Sequence, residues 1–135
     1  MFKVNGYEVE YNFLDVESRE YFEEEFLKTS DIVEKSVKGV DEKSAATLMR
    51  ECCEAVWTFI DNLFGEGTAD AMFEGKLLYD KCLLAIADIT LEAKRQDEEI
   101  SKISKEIAGK ILGEDIKNST SNKNKATRRK MNKLS

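Results

Sequence analysis

The chain has 135 residues, of which 41% are apolar and 36% charged, and a formal net charge of −6. That length makes one domain, with far more charge than the ~25% of an average globular protein. Histidine is absent, which removes the commonest neutral-pH general base and metal ligand, and proline is absent, which leaves helices unbroken. No apolar run reaches the ~18–20 residues of a membrane span.

The charge is unevenly placed. Residues 114–135 hold seven basic and two acidic side chains, a net +5, so residues 1–113 carry −11. An acidic body repels nucleic acid over most of its surface, and the tail is the only polyanion contact to consider. The first thirteen residues contain no basic leader followed by an apolar stretch. Cys52, Cys53 and Cys82 offer no C-x-x-C spacing, so they read as small buried hydrophobes of a reducing, cytoplasmic setting.

Phe2 and Val4, then Tyr7, Val9 and Tyr11, alternate about Asn5-Gly6, which predicts a β-hairpin with strands at 2–5 and 6–12 and a type I′ turn. Asp15 is placed to cap a first helix whose apolar residues run from Tyr21 to Val37. Thr29-Ser30-Asp31 threatens to interrupt it, and Gly39 ends it. A second helix is expected to open at Asp41 and Glu42 and to close at Gly65. It carries the cleanest amphipathic stripe: Ala45, Leu48, Met49, Cys52, Val56, Phe59, Ile60 and Leu63. Between Gly65 and Gly75, Thr68 is expected to cap a short helix. The next stretch, Leu77 to Leu91, is apolar almost all round and predicts a central, buried helix. Beyond Glu92 only Ile100, Ile103, Ile107 and Ile111 stay apolar, at steps of three and four. This narrow seam suits another helix, and Gly113 is expected to end it. Residues 114–135 keep no apolar period and are expected to be a basic, disordered tail. The fold expected is mainly α: three to four helices and an N-terminal hairpin in one domain over 1–113.

No chemistry gathers in this pattern. Glu17, Glu20 and Glu23, and Glu51 and Glu54, share helix faces at metal-binding spacing, but the E-x-x-D partner that such sites need is missing. Gly65-x-Gly67 has Asp70 where a dinucleotide loop needs glycine, and no Gly-Lys-Ser/Thr follows. A cysteine or serine nucleophile would lack a histidine base. No catalytic residue, cofactor or metal ligand is therefore expected. Arg128, Arg129 and Lys130 could contact a polyanion, though no aromatic side chain is interleaved for base stacking.

The string Asp61-Asn62-Leu63-Phe64-Gly65-Glu66-Gly67-Thr68-Ala69-Asp70-Ala71-Met72-Phe73 resembles a helix-joining segment of small proteins from tailed-phage and prophage tail modules. The resemblance covers about residues 56–90 and points to the tail assembly chaperones, helical proteins that bind the tape-measure protein. It implies a non-enzymatic protein of the bacterial host cytoplasm that grips helical segments of a tape-measure-like partner. Candidate contacts are Trp57, the loop Gly65–Gly75 with Phe64, Met72 and Phe73, and the seam Ile100, Ile103 and Ile107, which is also a possible self-association surface. A regulator binding nucleic acid through the basic tail is the alternative.

Overall fold

The computed structural model describes residues 1–39 and 42–113. In chain order it comprises strands β1 (Phe2–Val4) and β2 (Tyr7–Val9) and helices α1 (Val16–Lys38), α2 (Ala45–Phe64), α3 (Thr68–Phe73) and α4 (Tyr79–Ala108). A π-helical turn, Gly109–Gly113, follows. This is the mainly helical arrangement with an N-terminal hairpin that the pattern predicts. The chain divides into two compact units, Met1–Gln96 and Asp97–Ser135. The division falls after Gln96, whose side chain bonds back to the hairpin segment.

The hairpin turns at Asn5 (φ 53°) and Gly6 (φ 81°), the two positive values a type I′ turn requires. Its register pairs Phe2 with Val9, Lys3 with Glu8 and Val4 with Tyr7, and Val4 and Val9 are buried. Two strands alone are marginal, and the hairpin is held by helix contacts. The Asn5 backbone N–H donates to Asp88 Oδ2 at 2.9 Å, and the Asn5 amide donates to the Lys81 carbonyl at 2.8 Å. The second strand is shorter than the predicted 6–12. Beyond Val9 the backbone bonds to a side chain instead of to β1: Phe13 N–H donates to Gln96 Oε1 at 3.1 Å, and Gln96 Nε2 donates to the Tyr11 carbonyl.

Asp15 caps α1, its carboxylate accepting from Ser18 N–H at 3.0 Å, and Gly39 closes it in the left-handed region. The expected break at Thr29-Ser30-Asp31 is absent. Thr29 Oγ1 donates to the Glu25 carbonyl and Ser30 Oγ to that of Leu27, so both hydroxyls are spent along the helix itself. α2 begins three to four residues later than predicted, because Ser44 is its cap and accepts from Thr47 N–H at 3.2 Å. The expected cap, Asp41, lies outside the described residues.

The core of the first unit is built on α2. Cys52, Cys53, Val56, Phe59, Ile60 and Leu63 are buried there with Val4, Phe13, Phe22, Met72, Phe73, Cys82, Ala85 and Ile89. Phe13 and Phe22 meet edge to face with centroids 4.9 Å apart, and Phe22 continues to Phe59 at 6.1 Å. The stretch from Leu77 is not buried all round as expected. Cys82, Ala85, Ile89 and Ala93 face the core, while Leu84 and Leu91 stand 53% and 64% exposed, because α4 packs on one side only.

Glu25 and Thr29 are the buried polar side chains among the described residues. Asn62 of α2 donates to Glu25 Oε1 at 2.8 Å and Lys28 to Oε2 at 3.2 Å, tying α1 to α2. The Asn62 bond, and then Lys28, hold the Glu25 carboxyl below its ordinary value against the opposing effect of burial. A carboxyl depressed on folding adds stability in full above its unfolded value of about 4.3, and loses it as pH falls through the lower folded value. The urea midpoint of Glu25→Gln is therefore expected to fall less than that of the parent chain between roughly pH 6 and pH 3.

Candidate functional site

The segment Asp61–Phe73 forms a joint between α2 and α3. Gly65 ends α2 at φ 115°, ψ 147°, a region nearly closed to side-chain-bearing residues, and Gly67 precedes α3 at φ 89°. The Asp61 backbone carbonyl accepts from Gly65 N–H at 2.9 Å, while its carboxylate crosses the turn and accepts from Ala69 N–H at 2.8 Å. Asp61 is thus the cap of α3, in place of the predicted Thr68. Thr68 is the first helical residue and its side chain makes no cap. Ala69 is fully buried, so its small side chain lets α3 lie close against the body. Glu74 and Gly75 leave the helix at φ 54° and 74°, and Gly75 N–H closes the end on the Asp70 carbonyl at 3.0 Å.

The joint consumes most of the side chains expected to meet a partner. Met72 and Phe73 are buried in the core cluster. The Phe73 ring stacks on Trp57 with centroids 5.7 Å apart and planes 13° off parallel. Phe64 is partly buried and lies edge-on to Phe2 and Tyr11 at 6.0 and 6.1 Å. Trp57 is also partly buried, and its Nε1 is enclosed with no acceptor among the described residues. These four residues knit hairpin, α2 and α3 together. The seam differs: Ile100, Ile103 and Ile107 are 42%, 48% and 49% exposed. Arg128, Arg129 and Lys130 lie outside the described residues.

Open clefts flank α2. One of about 480 Å³ is lined by Ile32, Lys35, Lys43, Leu48, Glu51, Glu54, Ala55 and Thr58, with Lys43 and Glu51 paired at 2.8 Å. Another, about 460 Å³, runs from Glu54 and Trp57 past Asp61 and Asp70 to Leu77. Of the helical carboxylates singled out by spacing, Glu23 meets Arg19 at 2.9 Å and Glu54 meets Arg50 at 3.8 Å. No three His, Cys, Asp or Glu side chains among the described residues gather closely enough to hold a metal ion. The three cysteines are free and buried, and burial pushes the Cys52 thiol above its ordinary value and the Cys82 thiol well above. Cys53 beside Cys82 adds to the rise at Cys82, and the raised Cys52 and Cys82 thiols are poor nucleophiles at neutral pH. No described helix is long and apolar enough to cross a membrane.

A family model matches residues 5–132, nearly the whole chain. The chain belongs to DUF6673, a family of unknown function. No curated protein and no solved structure matches it. The DUF6673 match takes in the hairpin turn, the α2–α3 joint and the isoleucine seam, so all three belong to the family's unit.

Substitutions at two positions test the joint. Asp61→Ala is expected to cost about 1 kcal/mol of stability in urea denaturation, and Asp61→Asn, which keeps an acceptor oxygen, much less. Trp57→Phe keeps a ring against Phe73 and removes the orphaned donor, so it is expected to leave stability unchanged or raise it by up to about 1 kcal/mol. Trp57→Ala, which loses the stack, is expected to cost up to about 3 kcal/mol.

Proposed function

We propose that this chain is a non-enzymatic tail assembly chaperone or accessory tail protein of a phage or prophage, binding helical segments of a tape-measure-like partner. The observation that carries the reading is the exposed seam of Ile100, Ile103 and Ile107 on α4. Isoleucines at steps of three and four form one stripe on a helix, and a solvent-facing stripe of this kind suits the apolar face of a second helix. Fully burying an isoleucine is worth roughly 1.5–3 kcal/mol, and these three have about half of that still to gain. The sum is modest against the cost of association, and it fits a partner that is held and then released into an assembly.

The likeness of Asp61–Phe73 to tail-module proteins supplies the biological setting. In this chain the segment supports the reading indirectly, by setting α3 against α2, while the open surface lies further along. Binding through an exposed helical stripe requires no reacting group.

Co-expression with a tape-measure-like reading frame from a tail module is the direct test. The full chain is expected to hold that partner through affinity purification, and Ile100→Asp with Ile107→Asp to lose it at least tenfold. Failure of the parent chain to retain any such partner would overturn the proposal.

A further inference from the structure

Two thiols of the core meet from different helices. Cys53 of α2 and Cys82 of α4 lie in the same buried cluster, 2% and 0% exposed, and their side chains share a hydrogen bond. Successive residues on an α-helix turn by about 100°, so the adjacent Cys52 cannot point the same way as Cys53. The Cys52 thiol shares a hydrogen bond with Ser36 of α1 instead. Cys53 and Cys82 therefore form a pair, and Cys52 is engaged elsewhere.

The two members of the pair differ in access. Cys53 lines an open cleft of about 230 Å³ together with Ala46, Met49, Arg50, Leu77 and Tyr79. Cys82 is fully buried. A small neutral oxidant that enters the cleft meets Cys53 first, and a second thiol stands ready beside it. Access and a neighbouring thiol are what turn oxidation of a cysteine into a disulfide. Because Cys53 is only 2% exposed, reaction waits on local opening of the cleft wall, so the pair answers sustained oxidant rather than a brief pulse.

We propose that Cys53 and Cys82 are an oxidant-sensitive pair that closes to a reversible disulfide under hydrogen peroxide, tying α2 to α4 within the first unit. Cys53 Sγ attacks one peroxide oxygen, the O–O bond breaks, and Cys53 becomes a sulfenic acid as one water leaves. Cys82 Sγ then attacks Cys53 Sγ and the S–O bond breaks. The departing hydroxide takes the Cys82 proton and leaves as a second water. The two thiols together give up two electrons, and the peroxide takes them. Burial keeps the Cys82 thiol protonated, which suits it to the second step and not to the first. The bond closes a loop over residues 54–81, and a small dithiol reopens it by exchange. A cross-link over that loop restrains the unfolded chain, so the oxidised form is the more stable one.

The full-length chain can be treated with hydrogen peroxide at neutral pH, alkylated and digested with trypsin, which separates residues 51–76 from residues 82–94. Mass spectrometry is expected to find these two peptides joined, and dithiothreitol to part them. Cys52→Ala is expected to keep the cross-link, whereas Cys53→Ala and Cys82→Ala each abolish it. The urea midpoint of the oxidised chain is expected to lie above that of the reduced chain and to return on reduction. Circular dichroism checks that the variants stay helical, and the digest of the parent chain decides by itself should one unfold. Absence of the cross-link from the parent chain, its survival in Cys53→Ala, or passage of Cys53 to a sulfinic acid while Cys82 stays free would overturn the pairing. An unchanged urea midpoint in the cross-linked chain would overturn the tying of α2 to α4.

Discussion

The apolar face of α2 is the surface on which the first unit is assembled. Cys52, Cys53, Val56, Phe59, Ile60 and Leu63 stand on one side of a single twenty-residue helix, and all are buried. Burying that face is the dominant favourable term available to a body of this size. It also sets the places of α1, α3 and the hairpin. Asn62, on the same helix, adds direction to an otherwise non-directional force by donating to Glu25. An apolar face alone would let α1 slide; a buried carboxylate that must keep its donors limits the register at which the two helices meet.

The same economy shapes the joint after α2. Asp61 uses its backbone carbonyl to finish one helix and its carboxylate to begin the next, with Gly65 and Gly67 supplying the intervening positive φ angles. With Ala69 and Phe73 inward, the Asp61–Phe73 string has a sufficient folding reason at most of its positions. A motif of this kind preserves a geometry, and the surface it supports is where a partner would be met. Three free thiols buried around Cys82 extend the same theme, small polarizable groups filling the space where α2 and α4 meet.

Function on this reading lies where the packing stops. Through Ala93, α4 turns Cys82, Ala85, Ile89 and Ala93 into the core; Ile100, Ile103 and Ile107 repeat the spacing in the second unit and stay exposed. A helix face that keeps an apolar stripe in water without covering it departs from the ordinary pattern of a self-contained fold.

Much of the architecture was legible from local chemistry alone. Asn5-Gly6 demanded its turn because few other pairs accept two positive φ angles, Asp15 its cap, and the stripe of α2 its buried face. The isoleucine seam could likewise be read from spacing, and the structure left it in the open. What local chemistry could not decide was which apolar groups would be used up by distant neighbours. Met72, Phe73 and Phe64 looked available to a partner until tertiary packing set them against Trp57, Phe2 and the core. Leu84 and Leu91 looked buried, yet α4 packs on one side only. Gln96 ended β2 early, and Asp61 displaced Thr68 as a cap, through bonds spanning 83 and 8 residues respectively. Periodicity reports which face of an element is apolar. Only the assembled chain determines what covers that face, because burial is a property of neighbours brought together from far apart in sequence.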